Sequence, residues 1–561
     1  MKNGASPWDA SGPSPQRAFQ PIAKRVLIIG LDGATFTALR PLMDEGRMPR
    51  LKSVVAAGAS GTLYSTIPPM TPAAWTTFLT GKQPGTHGIL DFEGYDAATG
   101  ELRLNNAQRL AHVRNLWQIL SDKGFKVGSV NVPLTYPPVP VNGFIVTGFD
   151  TPGPESEFAY PPNLRQDVLE RWPDPTLKSH WRKQTLGGNG VFAENLAYLS
   201  NSFHQGAAMT IWLGDRYGWD ALMVVFKLID NLQHKTWKYI DPRWSDRNPR
   251  RRDMVKRCFE EADKAVGVLL DYAAAHDAAV VMVSDHGHGS LEGNVYPNRL
   301  LEQWGYLKLR GWPSRVATRC REIVKHLRSA KSALVPTHDI ARHLPLIMSE
   351  SKAVVMHAGN AGFLYVNLKG RQPGGIVDPE DYESVRDDLI RRFRGPDCRV
   401  RAPSGELIDL FPDVYKPEAL YHVSRQDQPW LPDLLLMQHE ILAVVRKIRG
   451  RQVTQWLPYR HLEGTHRMEG IFIAAGPGVR RATGVTAQLA DCAPTILAML
   501  GVSVPDDMQG RVVTEIFESA PDVDTEHARP QPAAPVVEEV VYSAEDVRKV
   551  TERLADLGYL Q

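Results

Sequence analysis

Three short, unbroken apolar runs, each leading into an acidic side chain, constrain this chain more than any other feature. Arg25-Val-Leu-Ile-Ile-Gly-Leu31 ends in Asp32. Ala221-Leu-Met-Val-Val-Phe226 is followed by Lys-Leu-Ile-Asp230. Ala279-Val-Val-Met-Val-Ser284 ends in Asp285-His286. Runs of this length without polar alternation suit strands buried on both faces of a parallel sheet. A fourth run, Gly470-Ile-Phe-Ile-Ala474, has the same character. Helical patterns lie between the runs, as at Asn115 to Gly124 before a further strand, Lys126-Val-Gly-Ser-Val130. Strands alternating with helices predict an α/β fold around a mostly parallel sheet. Such sheets gather ligands at the carboxyl ends of their strands, which is where these acidic residues fall.

The chain's 561 residues exceed what one simple core needs, so an enlarged domain with insertions is expected. The reading is a disordered tail over 1–24, a catalytic domain over 25–520, a linker over 521–538 and a terminal helix over 539–561. Two stretches that interrupt the alternation, 151–215 and 305–465, are expected to be insertions over the active-site edge. The second includes a basic run from Arg315 to Lys331, expected to be a solvated helix face. In the last helix Ser543 is the cap and Asp546 sits at capping-box spacing. Val547, Val550, Leu554 and Leu557 form its apolar stripe, and Gly558 ends it.

Hydrophobic residues make up 43% of the chain and charged residues 23%, values of a soluble globular protein. Net charge is +2, from 65 basic and 63 acidic residues, so no whole-molecule field draws in a nucleic-acid polymer or a membrane. Attraction for an anion must be local. Cys258, Cys320, Cys398 and Cys492 stand at no metal-finger or redox spacing and suit a reducing compartment. The first residues lack the apolar core of a secretory signal. No run approaches the roughly 18 apolar residues of a membrane helix. A cytoplasmic protein is expected.

Several residues carry chemistry. An isolated aspartate after a strand is usually a turn former or cap. Asp230 and His234 are four apart, so on a helix they share a face and can grip one metal ion, although in isolation such a pair is more often structural. Asp285 and His286 are neighbours and can converge only where a strand turns into a loop, a freedom that Gly287 and Gly289 provide. His466 precedes the fourth apolar run. In Pro68-Pro-Met-Thr71-Pro-Ala-Ala, proline marks a first helical turn and Thr71 is the expected cap, with helix from Ala73 to Leu79 and a stop at Gly81. Amides of that turn, at Ala73 and Ala74, would hold an anion beside the Thr71 hydroxyl. No motif for an activating histidine base lies nearby in sequence; a plain N-cap threonine is the common reading, and a metal ion could activate the hydroxyl in the chemical one. His288 is expected to be a loop histidine, His87 to fix its glycine-bounded turn, and Lys227 to snorkel from a strand end.

Taken in order, Gly30-Leu-Asp32-Gly, Met70-Thr-Pro-Ala-Ala-Trp-Thr-Thr-Phe-Leu-Thr-Gly81 with Gly85-Thr-His-Gly-Ile89, Asp230 with His234, Ser284-Asp-His-Gly287 and Gly464-Thr-His466 resemble the alkaline-phosphatase superfamily. The branch most resembled is the type I phosphodiesterase/nucleotide pyrophosphatases. The resemblance covers residues 25 to about 510, through Asp491-Cys-Ala-Pro-Thr-Ile-Leu497. It implies an α/β/α sandwich with inserted cap segments and a small phosphorylated substrate. It also implies two divalent ions, zinc first and manganese as the alternative. Asp230, His234 and His466 would hold one ion, and Asp32, Asp285 and His286 the other, with Thr71 between them as nucleophile and phospho-threonine as intermediate. Three aspartates alone give the pocket a charge of −3, and two divalent ions bring it to +1. Family pyrophosphatases carry an asparagine three residues after the nucleophile, where this chain has Ala74. Sulfatases of the superfamily need Cys or Ser followed by Pro and Arg, which Thr71-Pro-Ala-Ala lacks. A phosphomonoesterase or phosphomutase on the same fold, or a silent binder of a phosphorylated ligand, are the alternatives.

Overall fold

The computed structural model describes residues 15–96, 101–173, 189–309, 347–357, 359–448, 450–521, 523–528 and 542–557. A nine-stranded sheet forms the body. Its spatial order is Ala482–Gln488, Ala59–Tyr64, Glu469–Ala475, Ala279–Val283, Val26–Leu31, Ala221–Phe226, Val127–Val132, Gly143–Thr147 and Ala159–Tyr160. All but Glu469–Ala475 and Ala159–Tyr160 run in one direction. The three expected strands are central neighbours and buried along their whole length.

Alternate residues of Val26–Leu31 feed two different cores, as strand geometry requires. Leu27, Ile29 and Leu31 join one core, with the long helices Asn189–Tyr217 and Pro249–Ala275. Val26 and Ile28 join the other, with the helices Thr71–Thr80, Leu116–Asp122 and Cys492–Met499. This is a helix–sheet–helix sandwich. Gly30 lies level with both Val225 and Val283, so the three central strands end together. Asp32 and Asp285 therefore leave the sheet at one edge. Asp230 joins them from the first turn of the helix Leu228–Ile240.

The structure redraws parts of the sequence reading. The second half of segment 151–215 is not loose. It is the 29-residue helix Asn189–Tyr217, whose Leu196, Phe203, Ala207 and Leu213 pack in the body's core. Its apolar positions escape a simple helical reading because both the sheet and the helix Pro249–Ala275 cover it. Within 305–465, the strands Ala353–Val355, Gly362–Val366, Leu434–Met437 and Asp413–Tyr415 form a separate antiparallel sheet. With the helix Tyr382–Phe393 it encloses its own core of Leu364, Leu389, Phe393 and Leu435. This unit is a cap, and the basic run Arg315–Lys331 lies outside the described residues.

Where a loose tail is expected, residues 16–23 are bound to the body. The Ala18 amide donates to Gly501 O (2.7 Å) and the Ala23 amide to Met499 O (3.0 Å), with the Ala23 methyl buried. Residues 1–14 lie outside the described residues. In the expected linker, Thr525–Glu526 pairs with Val504–Pro505, and residues 529–541 lie outside the described residues. The terminal helix spans Ala544–Leu557. The Asp546 amide donates to Ser543 Oγ (3.1 Å), and the Ser543 amide donates back to Asp546 Oδ2 (3.1 Å). Val550 and Leu554 pack against Tyr136 and Phe149, and Arg553 Nη1 donates to Phe149 O (2.6 Å). Gly558 lies outside the described residues.

Candidate metal and phosphoryl-transfer site

The helix Thr71–Thr80 is entirely buried and ends at Gly81, whose φ of 66° glycine adopts without strain. Its first helical hydrogen bond runs from the Ala74 amide to Met70 O (2.9 Å), which makes Met70 the cap and Thr71 the first helical residue. The expected cap role of Thr71 is thus corrected. Pro72 fixes the first turn one residue earlier than expected, and the Thr71 hydroxyl points to the site, with Oγ1 3.2 Å from His286 Nε2. The Ala74 amide is likewise spoken for by Met70 O. Ala73 lies in the turn where helical amides lack an intrahelical acceptor.

Trp75, one turn further on, ties this helix to the strands. Its ring lies so close to Gly30 that a Cβ there would sit 2.6 Å from it, and its Nε1 donates to Asp32 Oδ2 (2.9 Å). Sequence reasoning did not single out Trp75. The available signal was an aromatic residue four positions after Thr71 together with a glycine two positions before Asp32. Asp285 Oδ1 accepts from the Gly33 amide (3.0 Å), which Gly33 presents at a φ of +68°. Each carboxylate thus spends one oxygen on the scaffold. The other oxygens, Asp32 Oδ1 and Asp285 Oδ2, are buried and accept no hydrogen bond from the described residues. They lie 3.9 and 3.3 Å from His286 Nε2.

Asp230 and His234 do share a helical face, with Oδ1 and Nε2 3.2 Å apart. His466 Nε2 is 3.1 Å from His234 Nε2 and 3.6 Å from Asp230 Oδ1. The structure therefore brings together Asp32, Thr71, Asp230, His234, Asp285, His286 and His466.

The tautomers show what this cluster is built for. His234 Nδ1 lies 2.8 Å from Gly464 O, His466 Nδ1 2.8 Å from Pro69 O, and His286 Nδ1 3.0 Å from Gly287 O. A carbonyl only accepts, so each Nδ1 carries a proton, and a ring in its neutral form then turns an Nε2 lone pair inward. Lone pairs and carboxylate oxygens facing one another at 3.1–3.9 Å repel unless a cation lies among them. Separations near 3.3 Å are about the edge of a tetrahedron with ligands ~2.0–2.1 Å from a zinc ion. Carbonyl-anchored imidazoles are the usual outer support of metal-ligating histidines. The donor set thus fits divalent metal.

The titration behaviour agrees. Burial, with the neighbouring aspartates, pushes Asp32 well above the usual carboxylate range, and burial pushes Asp285 the same way. Burial drives His286 and His466 down. Burial also opposes the charge on Asp230, but His234 and His466 outweigh it and hold that carboxyl low. That support needs positive charge on the imidazoles, while burial works against charge on His466. A divalent ion in their midst meets both demands.

Three further sequence expectations can be checked. His87 accepts from the Ile89 amide at Nδ1 (3.2 Å) and lies 2.9 Å from Thr77 Oγ1 through Nε2, fixing the turn that Gly88 closes. Lys227 does not snorkel. It is buried, with Nζ 3.4 Å from the centroid of the Phe149 ring, and burial brings its pKa down to about 7. His288 is not a solvated loop residue. It lies in the strand Gly287–Leu291, its side chain is fully buried, and its Nδ1 is 3.6 Å from Asp230 Oδ1.

Comparison with known families is decisive at this point. The family model of the type I phosphodiesterases / nucleotide pyrophosphatases matches residues 26–470, a span containing every residue of the cluster. The chain belongs to that family. Its members are metal-dependent phosphoric ester hydrolases. Among solved structures, phosphonoacetate hydrolase from Sinorhizobium meliloti 1021 bound to phosphonoformate is 16% identical (84% of this chain, 94% of that one, TM-score 0.49). Human ectonucleotide pyrophosphatase / phosphodiesterase 5 is 13% identical (88% and 100%, TM-score 0.49). An inactive form of the murine protein bound to AMP is 12% identical (86% and 96%, TM-score 0.48). No curated protein sequence matches. The α/β fold with its mostly parallel sheet is as expected, and no described helix is long and apolar enough to cross a membrane.

Proposed function

We propose that this family member cleaves a phosphodiester or pyrophosphate bond of a small phosphorylated molecule, with Thr71 as nucleophile and two divalent ions, zinc first, as cofactors. The carrying observation is the Thr71 hydroxyl, buried at a helix start and 3.2 Å from His286 Nε2, facing inward-turned lone pairs and carboxylate oxygens. Asp230, His234 and His466 would hold one ion, and Asp32, Asp285 and His286 the other. When bound, such a pair supplies positive charge that favours the ionised threonine oxygen and offsets charge on the phosphoryl group. Thr71 Oγ1 attacks phosphorus, forming an Oγ–P bond as the leaving oxygen departs with its electron pair. The hydroxyl proton ends on the departing oxygen; water then adds its oxygen to phosphorus as the Oγ–P bond breaks, one water proton returns to Thr71 Oγ1, and the product leaves as a phosphate monoester. The Ala73 amide, in the uncommitted first turn, is a donor for a phosphoryl oxygen. Trp75 and the Gly33 amide hold the two carboxylates in place. The three described cysteines are buried free thiols, which suits a cytoplasmic setting.

The test is turnover of bis(p-nitrophenyl) phosphate against p-nitrophenyl phosphate by zinc-loaded protein. The diester should be preferred. A preference for the monoester would favour the phosphomonoesterase reading. Thr71→Ala should lower turnover by about three orders of magnitude or more while metal content stays at the wild-type level. A metal-replete Thr71→Ala protein that still turns over would remove Thr71 from the nucleophile role.

A further inference from the structure

We infer that His288 is a further protein ligand of the ion held by Asp230 and His234, giving that ion a ligand set richer in imidazole than its neighbour's. This rests on the metal-site reading above and goes beyond it.

The strands Gly287–Leu291 and Glu463–Arg467 form a two-stranded antiparallel ladder in which His288 stands directly opposite His466. Directly opposed residues share a face, so both imidazoles project to the same side. Facing them is the helix Leu228–Ile240, with Asp230 and His234 one turn apart. Metal-ligating atoms of Asp230, His234 and His288 all lie within 4.8 Å of one another. His288 Nδ1 is 3.6 Å from Asp230 Oδ1, equal to the separation of His466 Nε2 from that oxygen.

Two glycines make the slot for this ring. A Cβ on Gly33 would sit 3.1 Å from His288 Nδ1, and one on Gly464 would sit 2.6 Å from Cδ2 and 2.8 Å from Nε2. Trp237 and His234 pack on the remaining sides, with ring centroids 5.7 and 4.5 Å away. The ring is thus held in place by shape, yet both its nitrogens are buried without a hydrogen-bond partner among the described residues. His234, His286 and His466 each have a carbonyl beside Nδ1. His288 has none, and its Nδ1 is the atom turned towards Asp230. A buried, unpartnered nitrogen destabilises the fold unless something satisfies it. A metal ion at the Asp230–His234 position would do so.

With His288 added, Asp230, His234, His466 and His288 provide three imidazoles and one carboxylate, a set suited to zinc. The neighbouring set, Asp32, Asp285 and His286, is carboxylate-rich. The two positions should therefore differ in affinity, with His288 tightening the first.

The full-length protein, stripped by chelation, is titrated with Zn2+ against a chromophoric chelator. It is titrated in parallel with Co2+ while visible absorption is recorded. Wild type, His288→Ala and His466→Ala are compared. His288→Ala should melt like wild type when metal-free, bind one of its two ions about 10–100-fold more weakly and show an altered Co2+ spectrum. Wild-type affinity at both positions with an unchanged Co2+ spectrum would overturn the role of His288. If His466→Ala weakens binding and His288→Ala does not, only the His288 assignment falls. If wild type takes up no metal, or neither variant weakens it, the metal-site reading falls as well. Should His288→Ala fail to fold, His288→Asn is judged by the same two readouts.

Discussion

The body and the cap each bury carboxylate in a dry interior, and they handle it in opposite ways. In the cap, Asp433 is fully buried and matched by protein. Arg371 donates to both its oxygens (2.8 and 2.6 Å), Arg425 and Tyr382 donate to Oδ1, and the Val366 amide donates to Oδ2 (2.6 Å). Burial would raise its pKa, but the guanidinium groups outweigh burial and hold it low. At the edge of the main sheet, Asp32 and Asp285 are just as buried, but each leaves one oxygen without a hydrogen-bond donor among the described residues and has other carboxylates as neighbours. The first cluster is complete as folded. The second leaves buried carboxylate oxygens unmatched by any donor among the described residues, which is what the proposed metal site would need and a structural ion cluster would not show.

Removing an acid should therefore have opposite effects in the two regions. Asp433→Ala strands Arg371 and Arg425 and should cost about 3–5 kcal/mol in denaturant unfolding, with or without metal. Asp285→Asn relieves repulsion and should stabilise chelator-stripped protein by roughly 1 kcal/mol or more. In zinc-loaded protein the sign should reverse, because the variant loses one of the proposed ligands. If Asp285→Asn destabilised the stripped protein as well, the two clusters would be alike and the contrast would fail.

Much of this site was legible in sequence because short-range rules apply there. Apolar runs that end in acids gave the strands and the edge, and the Asp230–His234 spacing gave a shared helical face. The cap was less legible. Its strands are three to five residues long and its core assembles from segments far apart in sequence, so no local period announces it. The helix Asn189–Tyr217 was missed because a helix covered on several sides loses its amphipathic stripe. Trp75 and His288 share a different difficulty. Their roles depend on glycines remote in sequence, Gly30 for one and Gly33 with Gly464 for the other, and only the fold brings these together. The cap assignment of Thr71 failed by one residue, within the usual ambiguity of a helix start.

A third buried acid sharpens the comparison. Asp150 accepts from the Leu134 amide (3.2 Å), and burial raises its pKa to about 6. Its folded pKa lies above the unfolded value near 3.8, so the folded state holds the proton more tightly. Stability contributed by the protonated form is present below about pH 4 and is lost as pH rises towards 6, by about 3 kcal/mol at 1.36 kcal/mol per unit. Asp150→Asn should remove that slope from a pH series of urea midpoints. Asp32 and Asp285 slope the same way in stripped protein, and metal should flatten their share but not that of Asp150. A slope that metal leaves wholly unchanged would mean the site acids do not feel one another.

The smallest effect concerns how the site's carboxylates are aimed. Trp75→Phe keeps a ring against Gly30 but removes the Nε1 donor to Asp32 Oδ2. Trp75 is a positioning residue, and losing its hydrogen bond leaves one carboxylate oxygen free to rotate out of the ligand direction. Turnover should fall about tenfold, with zinc affinity at one position falling in step, and KM should change little because the indole is fully buried between Gly30 and Asp32. Asp32→Glu should not restore it, since a longer carboxylate cannot be re-aimed by a missing donor. If Trp75→Phe lowers turnover while both zinc affinities stay at wild-type values, then the indole acts on something other than Asp32. The carboxylates at the sheet edge would then be held by the strand ends alone.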